Sequence, residues 1–531
     1  MGNSGEQARD RTQGRVILSA NLTRVNEAAK RSRQTRFTAL LHHVDVAALE
    51  RAYRRLRRQA APGVDGVTVE SYGQDLEGNL RDLADRVHGG RYRPLPVRRT
   101  YIPKADGGQR PLGILALEDK IVQGAVAEVL SAIYEADFLD CSFGFRPRRS
   151  AHQALRVVRE AITTEPVNWV LDADIRRYFD SVDHDWLLRM LAHRIADRRV
   201  LRLIGQWLRA GILEGGVYAD TVEGTPQGAG ISPLLANIFL HYVLDLWVEQ
   251  WKRRHATGQV RLVRYADDYL LLFQRRQDAE TMTAALAERL AKFGLHLHED
   301  KTRLIEFGRF AEENRRRKGR ARPEVFDFLG FTHYCGKTRD GRFLLCQKTQ
   351  RKRMIRKLKE LRQEMRRRMH QRLRDQHRWL AAVLSGHYAY FGISGNSTCL
   401  GRFRLQVMKA WRRVLLRRSQ RPKLSWERFN AILKVFPIPI GHVRDWRHQM
   451  AKSSYSSEEP DAGKLHVRIC EGGVERSTPL LDPIDPWPCS PSWPSKVGVV
   501  RVQISGSAAT MIVRRMPSFG QISPVVRPVS H

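Results

Sequence analysis

Residues 263–273 read VRYADDYLLLF, two strand-forming runs with adjacent aspartates between them. Neighbouring carboxylates repel one another and resist desolvation, so a stretch of this kind keeps them for a reason. The strand–turn–strand pattern over 262–273 predicts Asp267 and Asp268 at a tight bend, facing a cleft. A divalent metal answers two such charges more completely than a basic side chain does. A second acidic set lies in WVLDADIRRYFDSVDH (169–184). There Trp169, Leu171, Ala173 and Ile175 share one strand face, while Asp172 and Asp174 share the other. Asp172 sits one pleat back and reads as structural; Asp180 and Asp183 precede a helix and read as N-terminal caps. Asp174, Asp267 and Asp268 are therefore the candidate metal ligands. Three carboxylates on adjacent strands suit a two-metal, in-line displacement, the chemistry of nucleotide polymerisation but also of nucleases.

The elements that must position these groups are expected in an α+β arrangement. From Phe37 to Arg58, Leu40, Leu41, Val44, Ala48, Leu49, Ala52 and Leu56 recur at helical spacing, until APGVDG (61–66) breaks the pattern. From about residue 92 to 335, strand-like runs such as WVLDADI, LVRYADDYLLLF and FDFLGF alternate with helical stretches, pointing to an α+β layer rather than a doubly wound sheet. In residues 351–374, Ile355, Leu358, Leu361, Met365, Met369 and Leu373 form one apolar helical stripe, and half of the residues are Lys or Arg. A helical region over 377–435 sets Trp379, Tyr388, Tyr390, Phe391, Trp411 and Trp426 among further arginines, most of the rings reading as core. Residues 451–531 hold ten of the chain's 23 prolines and read as poorly structured.

Charge narrows the function. The 531 residues carry 92 Lys+Arg against 56 Asp+Glu, a net charge of +36, which calls for a polyanionic partner, with nucleic acid first. The basic face of 351–374 is accordingly read as an RNA contact through Arg351, Lys352, Arg353, Arg356, Lys357, Arg366 and Arg367. None of the six cysteines forms a C-x-x-C pair, which leaves no signal for a zinc ribbon or a disulfide framework. The N-terminus lacks the apolar core of a signal peptide, and no apolar run reaches the roughly 20 residues that span a bilayer. A soluble cytoplasmic protein, associated with nucleoid or ribonucleoprotein and with no membrane partner, is expected.

With these residues in view, the sequence resembles group II intron-encoded reverse transcriptases/maturases. The resemblance rests on YADD (265–268) together with AAPGVDGVTVESY (60–72), YIPKADGGQRPLGI (101–114), EDKIVQGAVAEVL (118–130) and FGFRPRRSAHQAL (143–155). DADIRRYFDSVDH (172–184), GTPQGAGISPLLANIFL (224–240), HLHEDKTRLI (296–305) and FDFLGF (326–331) continue it in the family's order. LSGHYAYFGISGN (384–396) and LSWERFNAILKVFPIP (424–439) are similar to the thumb, or maturase, region of the bacterial class C branch, which lacks the H-N-H endonuclease.

The resemblance implies a right-hand polymerase. Its parts would be a flexible basic N-terminus (1–35), an N-terminal extension and fingers (36–170), a palm (171–335), an α-helical thumb/maturase region (336–450) and a disordered Pro-rich tail (451–531). It implies that Asp174, Asp267 and Asp268, with the Ile175 carbonyl, bind two Mg²⁺ ions, Mn²⁺ being a possible substitute. It places Lys104 and Arg110 on the nucleotide triphosphate, Phe179 at the steric gate against a ribose 2′-OH, Gln227 on nucleotide and template, and Lys301 near the departing pyrophosphate. The implied partners are group II intron RNA, an RNA template, a DNA primer or target, and dNTPs. The implied function is splicing assistance and target-primed reverse transcription during intron mobility. Two alternatives stand beside it: an RNA-binding splicing factor with a relic polymerase domain, and a reverse transcriptase serving a retron, a diversity-generating element or a CRISPR locus.

Overall fold

The computed structural model describes residues 20–443, apart from 104–107, 215–216, 221–222, 225–229, 321 and 419–423. The described residues belong to one unit, residues 1–461. The Pro-rich stretch 451–531 lies outside the described residues, as do Lys104 and Gln227.

Among the described residues, eleven strands follow one another in three sheets. β1 (Val97–Pro103) and β2 (Gln109–Ile114) form an antiparallel hairpin. β3 (Trp169–Ala173) opens the central sheet. β4 (Ile212–Glu214) runs parallel to β1, and β5 (Val217–Ala219) completes that first sheet in the order β2-β1-β4-β5. β6 (Val260–Tyr265), β7 (Asp268–Phe273) and β8 (Arg303–Glu306) join β3 in the order β6-β7-β3-β8, antiparallel throughout. β9 (Phe326–Phe328), β10 (Phe331–Lys337) and β11 (Phe343–Thr349) make a three-stranded antiparallel sheet. The expected mixture of helix and antiparallel sheet is present.

The central sheet is apolar because helices cover it. In β7 every residue after Asp268 is buried, and the strand reads as a continuous apolar run, Tyr269–Phe273. The helix Ala151–Thr164 packs beside β6, and the helix Arg276–Ala291 lies against β3 and β7. Val158, Val170, Leu270, Leu272, Ile305, Phe307 and Phe331 meet in one core that runs from the central sheet into the third sheet. Beyond it, helices Arg351–Arg367, Leu373–Phe391, Ser397–Leu416 and Trp426–Val435 share a separate core around Leu361, Leu384, Val407, Trp411 and Phe429.

Four boundaries differ from the sequence expectation. Residues 20–31, assigned to a flexible start, form a helix against the helix Leu117–Asp137, with Leu22 and Ala29 buried. The 37–58 segment is a short 3₁₀ turn, Leu41–His43, followed by the helix Val46–Arg54; Asp45 accepts a hydrogen bond from the Ala48 amide and starts a new helix there. The 351–374 segment is not one helix. It stops at Arg367 and resumes at Leu373, so Met369 and Leu373 pack from the junction and the next helix, while Ile355 is exposed. Finally, Asp183 does cap its helix, accepting from the Trp186 amide at 2.7 Å, whereas Asp180 lies inside the 3₁₀ turn Tyr178–Asp180.

Candidate active site

The register of the central sheet brings the three carboxylates to one end. β3 and β7 pair from Trp169↔Phe273 to Ala173↔Tyr269. One further step sets Asp174 across from Asp268, and Tyr265↔Asp268 closes the β6–β7 hairpin with Ala266 and Asp267 in its turn. Asp268 is exposed to solvent yet ringed by protein, and its carboxylate makes no hydrogen bond or ion pair among the described residues. Burial, and then the negative charges of Asp267 and Asp174, push it up to about 6, with Arg353 pulling the other way. The three groups thus feel one another's charge.

Asp174 has a basic neighbour: Lys301 Nζ stands 2.6 Å from its Oδ2. The Asp174 carbonyl accepts from the His298 amide at 2.8 Å, and Ile175 bridges Leu297, which ties the segment after β3 to HLHEDK. Asp172 faces Arg303 on β8, with Nη2 at 3.4 Å, in keeping with a structural role. Burial pushes its carboxyl up to about 6 against the pull of Arg303.

The turn that carries Asp267 is clamped from beneath. Arg264, fully buried, donates Nε to Asp245 Oδ1 (2.7 Å), Nη2 to Asp245 Oδ2 (2.5 Å), and Nη1 to Asn237 Oδ1 (2.9 Å) and the Ala266 carbonyl (3.0 Å). Ala266 has φ 59°, a left-handed backbone rarely adopted by an alanine, and the guanidinium on its carbonyl helps hold it there. Asp245 ends a π-helical turn, His241–Asp245, a widening that occurs preferentially at functional sites. Asn237 also donates Nδ2 to the Gly144 carbonyl at 2.7 Å. Gly144 must be glycine, since a Cβ would lie 2.3 Å from the Ala266 nitrogen. Sequence reasoning missed Arg264, Asp245 and Asn237. For Asn237 and Asp245 the signal was a polar residue at 237, 241 and 245, every fourth position of an otherwise apolar run; Arg264, a basic residue in a strand, carried none.

The remaining predicted residues divide. Phe179 is half-buried in the turn Tyr178–Asp180, edge-on to Tyr178 at 5.3 Å. Gly224 (φ 87°) packs on the backbone of Phe179 and Asp180, so GTPQG begins beside this turn. Arg110 lies on β2 opposite Ile102. In the helix Arg351–Arg367, Arg356 and Lys357 pair with Glu360 and Arg367 pairs with Glu364. Arg351, Lys352, Arg353 and Arg366 are exposed and make no ion pair among the described residues. Arg353 belongs to the site as much as to the basic face, because its guanidinium packs over Gly330 and acts on Asp268.

Residues 102–333, which include Asp172, Asp174, Asp245, Asp267 and Asp268, match the family described as "Reverse transcriptase (RNA-dependent DNA polymerase)". That segment is similar to a reverse transcriptase domain. It is 41% identical over 207 residues to Protein YkfC of Escherichia coli (strain K12), covering 38% of this chain and 53% of that protein. It is 39% identical over 204 residues to the group II intron-encoded protein LtrA of Lactococcus lactis subsp. cremoris, covering 38% of this chain and 34% of LtrA. A third relative, an uncharacterised 91 kDa protein in the cob intron of Schizosaccharomyces pombe, is 33% identical over 272 residues, covering 49% of this chain and 33% of its own length. The chain thus matches about half of the first relative and about a third of the other two.

Reverse transcriptases generally need divalent metal ions, and the donor set fits one. Among the described residues no three His, Cys, Asp or Glu side chains come together closely enough to cage an ion by themselves. Mg²⁺ does not require that, because it retains waters and is held by one or two carboxylates plus substrate phosphates. An unpaired Asp268 carboxylate beside the negative charges of Asp267 and Asp174 offers a divalent ion oxygen donors only. No helix among the described residues is long and apolar enough to cross a membrane.

Proposed function

We propose that the chain is an RNA-directed DNA polymerase encoded by a group II intron. In this reading it binds intron RNA as a maturase and copies RNA into DNA by target-primed reverse transcription. The observation that carries the reading is the β3–β7 register, which sets Asp174 across from Asp268 inside a reverse transcriptase domain. The relative named as a group II intron-encoded protein supports the intron context. In the right-hand description, the β2-β1-β4-β5 sheet with its helices (36–170 and the inserted β4–β5) would be fingers, 171–335 the palm, and 336–450 the thumb/maturase region of a class C-like enzyme.

Asp174, Asp267 and Asp268, with the Ile175 carbonyl, would hold the metal, taken here to be Mg²⁺. When bound, it supplies activation of a primer 3′-hydroxyl and charge stabilisation for the leaving pyrophosphate. The chain's own groups do the rest. Arg264, Asp245 and Asn237 hold the Asp267 turn rigid, so the carboxylates need not reorganise as charge develops. Lys301, ion-paired to Asp174, would meet the charge of a departing pyrophosphate or give it a proton. Lys104 and Arg110 would take the triphosphate, Gln227 the nucleotide and template, and the Phe179 ring would exclude a ribose 2′-OH. The exposed Arg351, Lys352, Arg353 and Arg366 would meet RNA phosphates.

The test uses the purified full chain with a poly-rA template, an oligo-dT primer, Mg²⁺ and dTTP. Primer extension that disappears with EDTA and returns with Mg²⁺ is expected. RNA binding without extension would instead make the chain a splicing factor with a relic domain.

A further inference from the structure

The loop 143–150, beside the site, holds two left-handed residues. Phe145 (φ 55°) and Arg148 (φ 59°) both occupy the left-handed region, which residues with a Cβ avoid. Burial compensates neither of them. Phe145 is 59% exposed and stacks on no other ring among the described residues. Arg148 is exposed and makes no hydrogen bond or ion pair among the described residues.

What holds this shape is the residue next to Phe145. Arg146 is buried and donates Nη1 to the carbonyls of Leu139 (2.8 Å) and Ser142 (2.9 Å). Its Nε and Nη2 each reach Glu135 Oε2 at 3.1 Å. On one side, Phe143 donates its amide to the Arg264 carbonyl (2.8 Å) and Gly144 is wedged against Ala266. On the other, Ser150 caps the helix Ala151–Thr164. The loop is therefore fixed to the turn that bears Asp267, and it offers solvent an aromatic ring and a guanidinium three residues apart.

A ring and an unpaired guanidinium, held rigid beside carboxylates suited to phosphate chemistry in a chain of net charge +36, match one class of ligand. That ligand is a nucleic-acid strand, whose bases or sugars meet the ring and whose phosphate meets the guanidinium. We infer that Phe145 and Arg148 grip a strand of the primer–template duplex where it reaches the Asp267 turn. This rests on the polymerase reading and adds to it two positioning residues for the duplex.

Phe145→Gly and Phe145→Trp separate this role from a structural one, because glycine adopts φ 55° without strain and tryptophan keeps an aromatic face. With the full chain and a fluorescent DNA primer annealed to an RNA template, Phe145→Gly is expected to weaken duplex binding about tenfold. It should raise the KM for duplex while leaving the KM for dTTP and the melting temperature near wild type. Phe145→Trp should bind within about twofold of wild type. Arg148→Gly should weaken binding and reduce the slope of log affinity against log salt by about one. Unchanged duplex affinity in Phe145→Gly, or an equal loss in Phe145→Trp, overturns the inference; the first result is also the one expected if the loop docks a protein. If the wild type extends primers and Phe145→Gly behaves identically, only the loop assignment fails. If the wild type binds duplex through Phe145 but never extends it, the polymerase reading fails instead.

Discussion

Arg264 places a full positive charge where no solvent reaches, against an equally buried Asp245. Replacing such a pair with matched apolar groups is often nearly neutral, but removing one partner strands the other's charge and costs about 3–5 kcal/mol. Arg264→Met should therefore destabilise the fold by that amount in urea unfolding, and adding Asp245→Leu should recover much of it. Recovery of stability without recovery of primer extension would assign the pair to aiming the Ala266–Asp267 turn; a stable single variant would contradict the account. At this scale the catalytic candidates were legible because adjacent aspartates in a strand are chemically costly. The clamp was not, since an arginine in a strand reads as surface until its acidic partner, remote in sequence, is seen beside it. Arg353 shows a similar limit: its residue type pointed to RNA, and only packing placed its guanidinium over Gly330 and near Asp268.

Elements were legible where pattern and burial agree. The runs of β3 and β6–β7 announced the central sheet, and the register then followed from which residues are buried. Boundaries fared less well because single caps decide them. Asp45 starts a helix inside a segment whose apolar spacing looked continuous. Asp197 is a second case, with a wider reach. Its carboxylate caps the helix Arg198–Leu208 and also accepts from the amides of Leu40 and Leu41, at 2.9 and 3.1 Å, joining segments far apart in sequence. Burial pushes this carboxyl up, but the Arg199 guanidinium and the backbone amides outweigh it and hold it at about 2. A carboxyl depressed in the folded state adds stability that is present above its unfolded value of 3.8 and is lost as the pH falls through about 2. Asp197→Ala should thus cost about 2 kcal/mol at pH 7. In thermal melts its deficit should shrink steadily below pH 4, and a deficit constant down to pH 2 would contradict the charge-based account.

Across the whole molecule, the net charge of +36 was readable from composition alone, as was the expectation of a polyanionic partner. Which charges are available was not, because Glu360 and Glu364 engage part of the basic helix within itself. Replacing Arg351, Lys352, Arg353 and Arg366 together by Gln should reduce the salt slope of single-stranded RNA binding by about 3. An unchanged slope would move the RNA contact elsewhere. The central claim concerns the acidic cluster rather than the basic surface, and one comparison reaches it directly: extension of an oligo-dT primer on poly-rA by the wild type and by the Asp267→Ala/Asp268→Ala variant, with RNA affinity measured on the same preparations. The account predicts extension lost to background in the double variant while RNA binding stays near wild type. Extension that persists in the double variant would contradict it.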